Sequence, residues 1–285
     1  MPASAELKAL VEQVPDHDKG GSYVNLTPES GEAMRKLTAE LHKGGRDAVL
    51  GIIDMLVEPK VGEPVKDIKP HYALHMLAVH VTGLGDDKAR AEFATTLASQ
   101  LGGDRPKAIQ KYLIQELGVC GGKEVVEPLG KMLLDAELCD DAARALAAIK
   151  DCAADVLLAA LPQVQGRGRL SVVKKLAVLK CEKAAEVFKQ ALSDQDPDVR
   201  IAGGWGIARI ADAPAADALL KAADGAKDWL RINLSDAAMS LADALLAAGK
   251  KPEAAAIYAH IAKTRTDPAE KHLKEAAERG LAAAK

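Results

Sequence analysis

The chain has 285 residues, 48% of them apolar and 28% charged, which is a folded composition and not a disordered one. Aromatic residues are only 3%, so sheets filled by aromatic and β-branched side chains are not expected. The formal net charge of −3 gives no bulk reason to expect a nucleic acid or an anionic membrane as partner, and no run of about 18 apolar residues is present to span a bilayer.

Alanine and leucine dominate, the composition from which closely packed helices are built. Leu7, Leu10, Val11 and Val14 give a short helix ended by Pro15, and Asp16 to Leu26 reads as irregular. The segment lacks a basic start and apolar block, so no secretory signal is read, although a mature product would also lack one. The cysteine usage suits a reducing compartment, and a cytoplasmic location is expected. Thr27-Pro28-Glu29 is an N-cap followed by proline at the first helical position, opening a helix to about His42. Asp47 to Leu56 gives another. Glu58 to Lys69, with Pro59, Gly62 and Pro64, is a long loop.

From Pro70 the rhythm is regular, with apolar residues three and four apart. Helices are predicted over His71–Leu84, Lys88–Leu101, Arg105–Leu117, Glu124–Leu134, Asp140–Ile149, Ala153–Leu161, Gly168–Leu179, Cys181–Leu192, Asp198–Ile210, Ala213–Ala222 and Trp229–Ala248. Gly118 is read as a stop, and the last helix is expected to break near Ser235.

Asp140 to Ile149 and Asp198 to Ile210 match as a charged turn before a small-residue helix ending in isoleucine, and Leu170 to Leu179 fits more loosely. The period is close to 30 residues per helix pair. One pair cannot hide its apolar stripe, whereas stacked pairs make a continuous core. Asp194-Gln195-Asp196-Pro197-Asp198-Val199-Arg200 resembles the turn of HEAT repeats. Asp196 or Asp198 would cap the helix, and Arg200 would pair with an aspartate of a neighbouring repeat. Leu241 to Tyr258 resembles a tetratricopeptide hairpin with Tyr258 as a wedge, followed by a charged capping helix, Ala269 to Leu281. The resemblance implies an all-α superhelix, an α-solenoid of stacked antiparallel helix pairs. Residues 1–69 would form an irregular N-terminal cap, 70–248 the HEAT-like repeats and 249–285 a C-terminal cap, in one continuous domain.

Cys120, Cys139, Cys152 and Cys181 form no CxxC pair and are read as small buried hydrophobes. His71 and His75 share a helix face, but zinc needs at least one further ligand and no HExxH occurs, so no metal or cofactor is assigned. Gly20-Gly21 and Gly203-Gly204 belong to no phosphate-binding motif. Gly203, Gly204 and Gly206 flank Trp205 inside a predicted helix and signal either tight packing or room for a ligand. Between Gln163 and Lys183 lie Arg167, Arg169, Lys174, Lys175, Lys180 and Lys183 against one acid, Glu182. An acidic stretch follows.

A solenoid groove suits a protein or peptide partner. The candidate contacts are Arg167, Arg169, Lys174, Trp205, Arg209, Trp229 and Arg231, because arginine and tryptophan are favoured anchors. The expected function is non-catalytic protein binding or scaffolding through the concave inner face of the solenoid. The alternative is an enzyme working in the groove, similar to the helical-repeat DNA glycosylases, with Asp228 or Asp236 as the acid, or to the HEAT-like bilin lyases.

Overall fold

The computed structural model describes residues 3–15, 27–63 and 65–284. The expected irregular stretch 16–26, with Gly20 and Gly21, lies outside them. Among the described residues there are sixteen α-helices and no strand. The chain divides into two compact units, residues 1–156 and 157–285.

The first unit contains α1 (Ala5–Val11), α2 (Pro28–Lys43), α3 (Gly45–Asp54), α4 (Ile68–Gly83), α5 (Asp87–Ala98), α6 (Lys107–Cys120), α7 (Val126–Met132) and α8 (Cys139–Ile149). The unit boundary falls inside α9 (Ala153–Ala160). The second contains α10 (Gly166–Val178), α11 (Ala185–Ala191), α12 (Pro197–Arg209), α13 (Ala216–Asp224), α14 (Asp228–Ala247), α15 (Lys251–Thr264) and α16 (Lys271–Ala283). In the first unit α2, α4, α6 and α8 pack in a row, with α3 and α5 beside it. In the second α10, α12 and α14 form the row, α11 and α13 lie against α12 and α14, and α15 joins α14 to α16. This order of stacked helix pairs is the α-solenoid that the sequence predicts.

The helices begin where their caps allow. Thr27 Oγ1 accepts from the Ser30 amide at 3.2 Å and Pro28 takes the first helical position. Asp196 Oδ1 accepts from the Asp198 amide at 2.8 Å ahead of α12. The cores are the apolar stripes: Ala142 and Leu146 on α8, or Leu241 and Leu245 on α14, are fully buried. Each such leucine contributes about 1.5–3 kcal/mol by leaving water.

Three departures from expectation have a local explanation. Helix α14 passes unbroken through Ser235, whose hydroxyl donates to the Arg231 carbonyl at 2.8 Å and so needs no break. Helix α6 runs through Gly118 to Cys120, and a Cβ on that glycine would stand 3.5 Å from Ala145 of α8, an ordinary contact. Cys152 is exposed in the turn before α9, at φ 57°, while Cys120, Cys139 and Cys181 are buried as predicted.

The repeat is most regular in the backbone. After α10, the amide of Cys181 donates to the Leu176 carbonyl and that of Lys180 to the Ala177 carbonyl. After α12, Asp212 and Ala211 donate in the same way to Ile207 and Ala208, and after α14 Lys250 and Gly249 donate to Leu245 and Leu246. Each pair of bonds is a Schellman cap, with its left-handed residue at Lys180, Ala211 or Gly249. A single turn of 3-10 helix follows the first two, at Glu182–Ala184 and Ala213–Ala215.

Candidate binding face

Helix α12 places Trp205 at the surface by pressing its glycines inward. A Cβ on Gly206 would stand 2.3 Å from the Phe188 ring, and one on Gly203 would stand 2.7 Å from the Phe188 carbonyl oxygen and the Ala191 Cβ. Gly204 faces Leu219, Leu234 and Ala237. The glycines therefore serve close helix contact. Trp205 points the other way and is 37% exposed, with the Arg209 guanidinium 5.5 Å from its ring centre. A cation at that distance is attracted to the indole face.

Beside this pair lies a shallow groove of about 340 Å³, lined by Lys180, Trp205, Ala208, Arg209, Ser240 and Ala244. Asp236 stands one turn before Ser240 on α14. Partial burial of its carboxyl raises its pKa, against the downward pull of His272.

The basic band divides into two kinds of residue. Arg167 and Lys174 are exposed on one stripe of α10 with Val178, and have no ion-pair partner among the described residues. Arg169 is tied down, its Nε 2.8 Å from Asp194 Oδ2. Asp194 also accepts from the Asp196 amide at 3.0 Å. The tie between repeats expected of Arg200 is thus made by Arg169, because Asp194 faces α10, while Arg200 Nε donates to the Leu192 carbonyl at 3.0 Å.

Trp229 is 54% exposed in the first turn of α14. It does not meet Trp205: Ser240, in the groove, is eleven residues further along α14, about 16 Å at 1.5 Å per residue. Arg231 faces inward, with Nε 2.5 Å from Glu270 Oε1 and Nη2 3.2 Å from the Thr264 carbonyl. It borders a network that the sequence did not reveal. Arg265 is fully buried and donates to Asp224 Oδ1 at 2.6 Å, Ser235 Oγ at 2.8 Å and Thr264 Oγ1 at 2.7 Å. His260 Nε2 lies 2.8 Å from Asp224 Oδ2. Burial works upward on the Asp224 carboxyl, but the hydrogen bonds and charges of Arg265 and His260 outweigh it and hold it below its ordinary pKa. In the C-terminal hairpin Tyr258 is the wedge that the sequence predicts. It is buried against Gly280, with its hydroxyl 2.5 Å from Asp243 Oδ1.

The first unit holds a smaller polar cluster. His75 Nδ1 lies 3.0 Å from Glu116 Oε2 and His71 Nδ1 3.2 Å from Asp67 Oδ2. Glu116 and Asp67 were not singled out in the sequence. Each is an isolated acid whose burial depends on a distant or irregular segment. Burial pushes the Cys120 thiol, next to Glu116, up to about 12. Among the described residues no group of three or more His, Cys, Asp or Glu is placed to hold a metal ion. No helix among them is long and apolar enough to cross a membrane.

No protein-family model and no curated protein matches the chain. Several solved structures are similar at low identity. The complex of CpcE and CpcF of phycocyanin lyase from Nostoc sp. aligns at 16% identity over 99% of this chain and 98% of that one, with a TM-score of 0.37. Human deoxyhypusine hydroxylase in complex with glycerol aligns at 16% over 98% and 96%, with a TM-score of 0.33. An engineered protein aligns at 18% over 99% and 97%, with a TM-score of 0.29. The internal order of the helices is what defines the chain as an all-α stack of helix pairs, an α-solenoid fold.

Proposed function

We propose that the chain binds a partner protein or peptide through the outward face of α10, α12 and α14. The observation that carries this reading is the display of Trp205. An indole is held at the surface by a glycine-packed helix, beside Arg209 and a groove. Rigid aromatic and arginine side chains bordering a depression are the usual anchors of an interface. Lys174 and Arg167 on α10, with Lys180 in the groove wall, add unpaired positive charge, so an acidic segment is the favoured partner. Arg169 and Arg231 act by holding the surrounding turns in place.

The test starts with proteins retained by the full chain from its native cell and then measures the affinity of each. Trp205→Ala should weaken binding about 30-fold, the effect of losing an anchor of about 2 kcal/mol. Arg167→Glu with Lys174→Glu should slow association and flatten its salt dependence. A partner held equally well by all variants would overturn the reading.

The enzyme alternative draws on a separate observation, the raised pKa of Asp236 next to the groove. A carboxyl whose pKa is raised by partial burial, one helical turn from Ser240 of the groove, is a candidate proton donor to a flat, conjugated ligand such as a bilin. Adding a free bilin to the full chain should then shift its absorbance, with Asp236→Asn altering the shift and Trp205→Ala removing it. An unshifted spectrum would reject this alternative.

A further inference from the structure

The side of α4 that faces α6 carries a second constellation, independent of the Trp205 groove. His71 and His75 are one helical turn apart, a spacing that puts their side chains on one face. Both rings are anchored through the same atom. His71 Nδ1 lies 3.0 Å from the Asp67 carbonyl oxygen and 3.2 Å from its carboxylate. His75 Nδ1 lies 3.0 and 3.2 Å from the two oxygens of Glu116. The side chains of Asp67 and Glu116 are only 6% and 5% exposed. Asp67 is itself fixed by the Val57 amide, which donates to its Oδ2 at 2.7 Å. The Tyr112 ring backs His71 at 4.3 Å between ring centres, and the Tyr112 hydroxyl donates to the His71 carbonyl.

A buried carboxylate needs donors, and a neutral imidazole offers one. The Nδ1 atoms therefore carry the protons, which leaves the Nε2 lone pairs free. The rings remain 33% and 45% exposed. An imidazole whose far nitrogen donates to a carboxylate is oriented and made more basic, the usual outer arrangement around a metal-bound histidine.

We propose that His71 and His75 form a two-imidazole chelate for a borderline divalent transition ion such as Zn²⁺, bound through both Nε2 atoms. Asp67 and Glu116 are its positioning residues. Only two protein ligands are present and the remaining coordination positions belong to water, so this is a weaker site than the three- and four-ligand sites of zinc enzymes and zinc folds. The other imidazole pair of this unit, His42 and His80, has rings 5.3 Å apart in an edge contact. Neither of those rings is held by a carboxylate among the described residues, so the assignment excludes them.

The test is calorimetric titration of the full chain with Zn²⁺, together with X-ray absorption on the loaded protein. One ion per chain is expected, with two nitrogen ligands of the protein at about 2.0–2.1 Å. His71→Ala and His75→Ala should each weaken binding at least 10-fold. Glu116→Gln should weaken it about 10-fold while leaving both ligands in place. His80→Ala should change nothing. Melting curves in chelator show that each variant is folded, and the wild-type curve should move upward with added Zn²⁺. The assignment is overturned by no stoichiometric binding, by unchanged binding in His75→Ala, or by loss of binding in His80→Ala.

Discussion

Trp205 and Trp229 both reach the surface of the second unit, yet the helices beneath them are secured by different forces. Under Trp205 the contact is apolar and very close, with α12 pressed through Gly203 and Gly206 onto Phe188 and Ala191. Under Trp229 the next turn of α14 is held by charge, through Arg231 to Glu270 and through the buried Arg265 to Asp224 and Ser235. The first support depends on shape and is blind to pH. The second depends on ionisation and on the pairing of Arg265 with Asp224, because a buried charge that loses its partner has no water to turn to.

The sharpest way to break this contrast is to remove the charge from the C-terminal network. Arg265→Ala should cost about 3 kcal/mol, at the low end for a broken buried pair because Asp224 is partly open to water. Urea unfolding measures it, and a loss below that of an ordinary surface arginine would show the network to be incidental. Next is Gly206→Ala. The added methyl meets the Phe188 ring at 2.3 Å, and an overpacking cost of about 1–3 kcal/mol exceeds the helix-propensity gain of about 1 kcal/mol. Net destabilisation is expected, whereas Gly204→Ala, whose nearest contact of 3.1 Å is a leucine methyl, should be close to neutral.

Acid should separate the two supports more gently. The Asp224 carboxyl has a lowered pKa in the folded chain, so its contribution is fully present above the ordinary aspartate value of about 3.9. That contribution is lost as pH falls through the lowered folded value. Asp224→Asn should flatten the acid limb of the stability curve, and an unchanged limb would remove Asp224 from the account. The smallest effect is expected from Arg209→Ala, which removes a cation–π contact of about 0.5–1 kcal/mol at an exposed site. Measured in a Trp229→Phe background, the emission of Trp205 should shift while the melting temperature hardly moves.

Helices were easy to read from the sequence because their signals are local. Thr27-Pro28 and Asp196-Pro197 announce starts, and apolar spacing gives the buried faces. The glycines around Trp205 announced a close contact, though not that Phe188 would be its partner. The networks were not readable. Arg265 sits in the polar string Thr264-Arg265-Thr266 and looks like a solvated turn, while its partner Asp224 is 41 residues away. Glu116 and His75 are separated by the same interval. Charge pairing between stacked helices leaves no periodic trace, so a single chain offers nothing to find it by. The basic band was visible as composition, but the split between free Arg167 and Lys174 and engaged Arg169 depends on where Asp194 falls in the stack.

The left-handed caps after α10, α12 and α14 carry a different lesson. At Gly249 that conformation is free of strain, but at Lys180 and Ala211 a side chain is forced into it. The architecture therefore repeats as a backbone shape after its residue identities have diverged, which is why comparison by letters recovers so little of it. Lys180 is also a wall of the Trp205 groove. Glycine there would relax the turn and remove a charge from the groove wall, so a search for sturdier variants of this protein would tend to erase the charge on which the proposed recognition of an acidic partner rests.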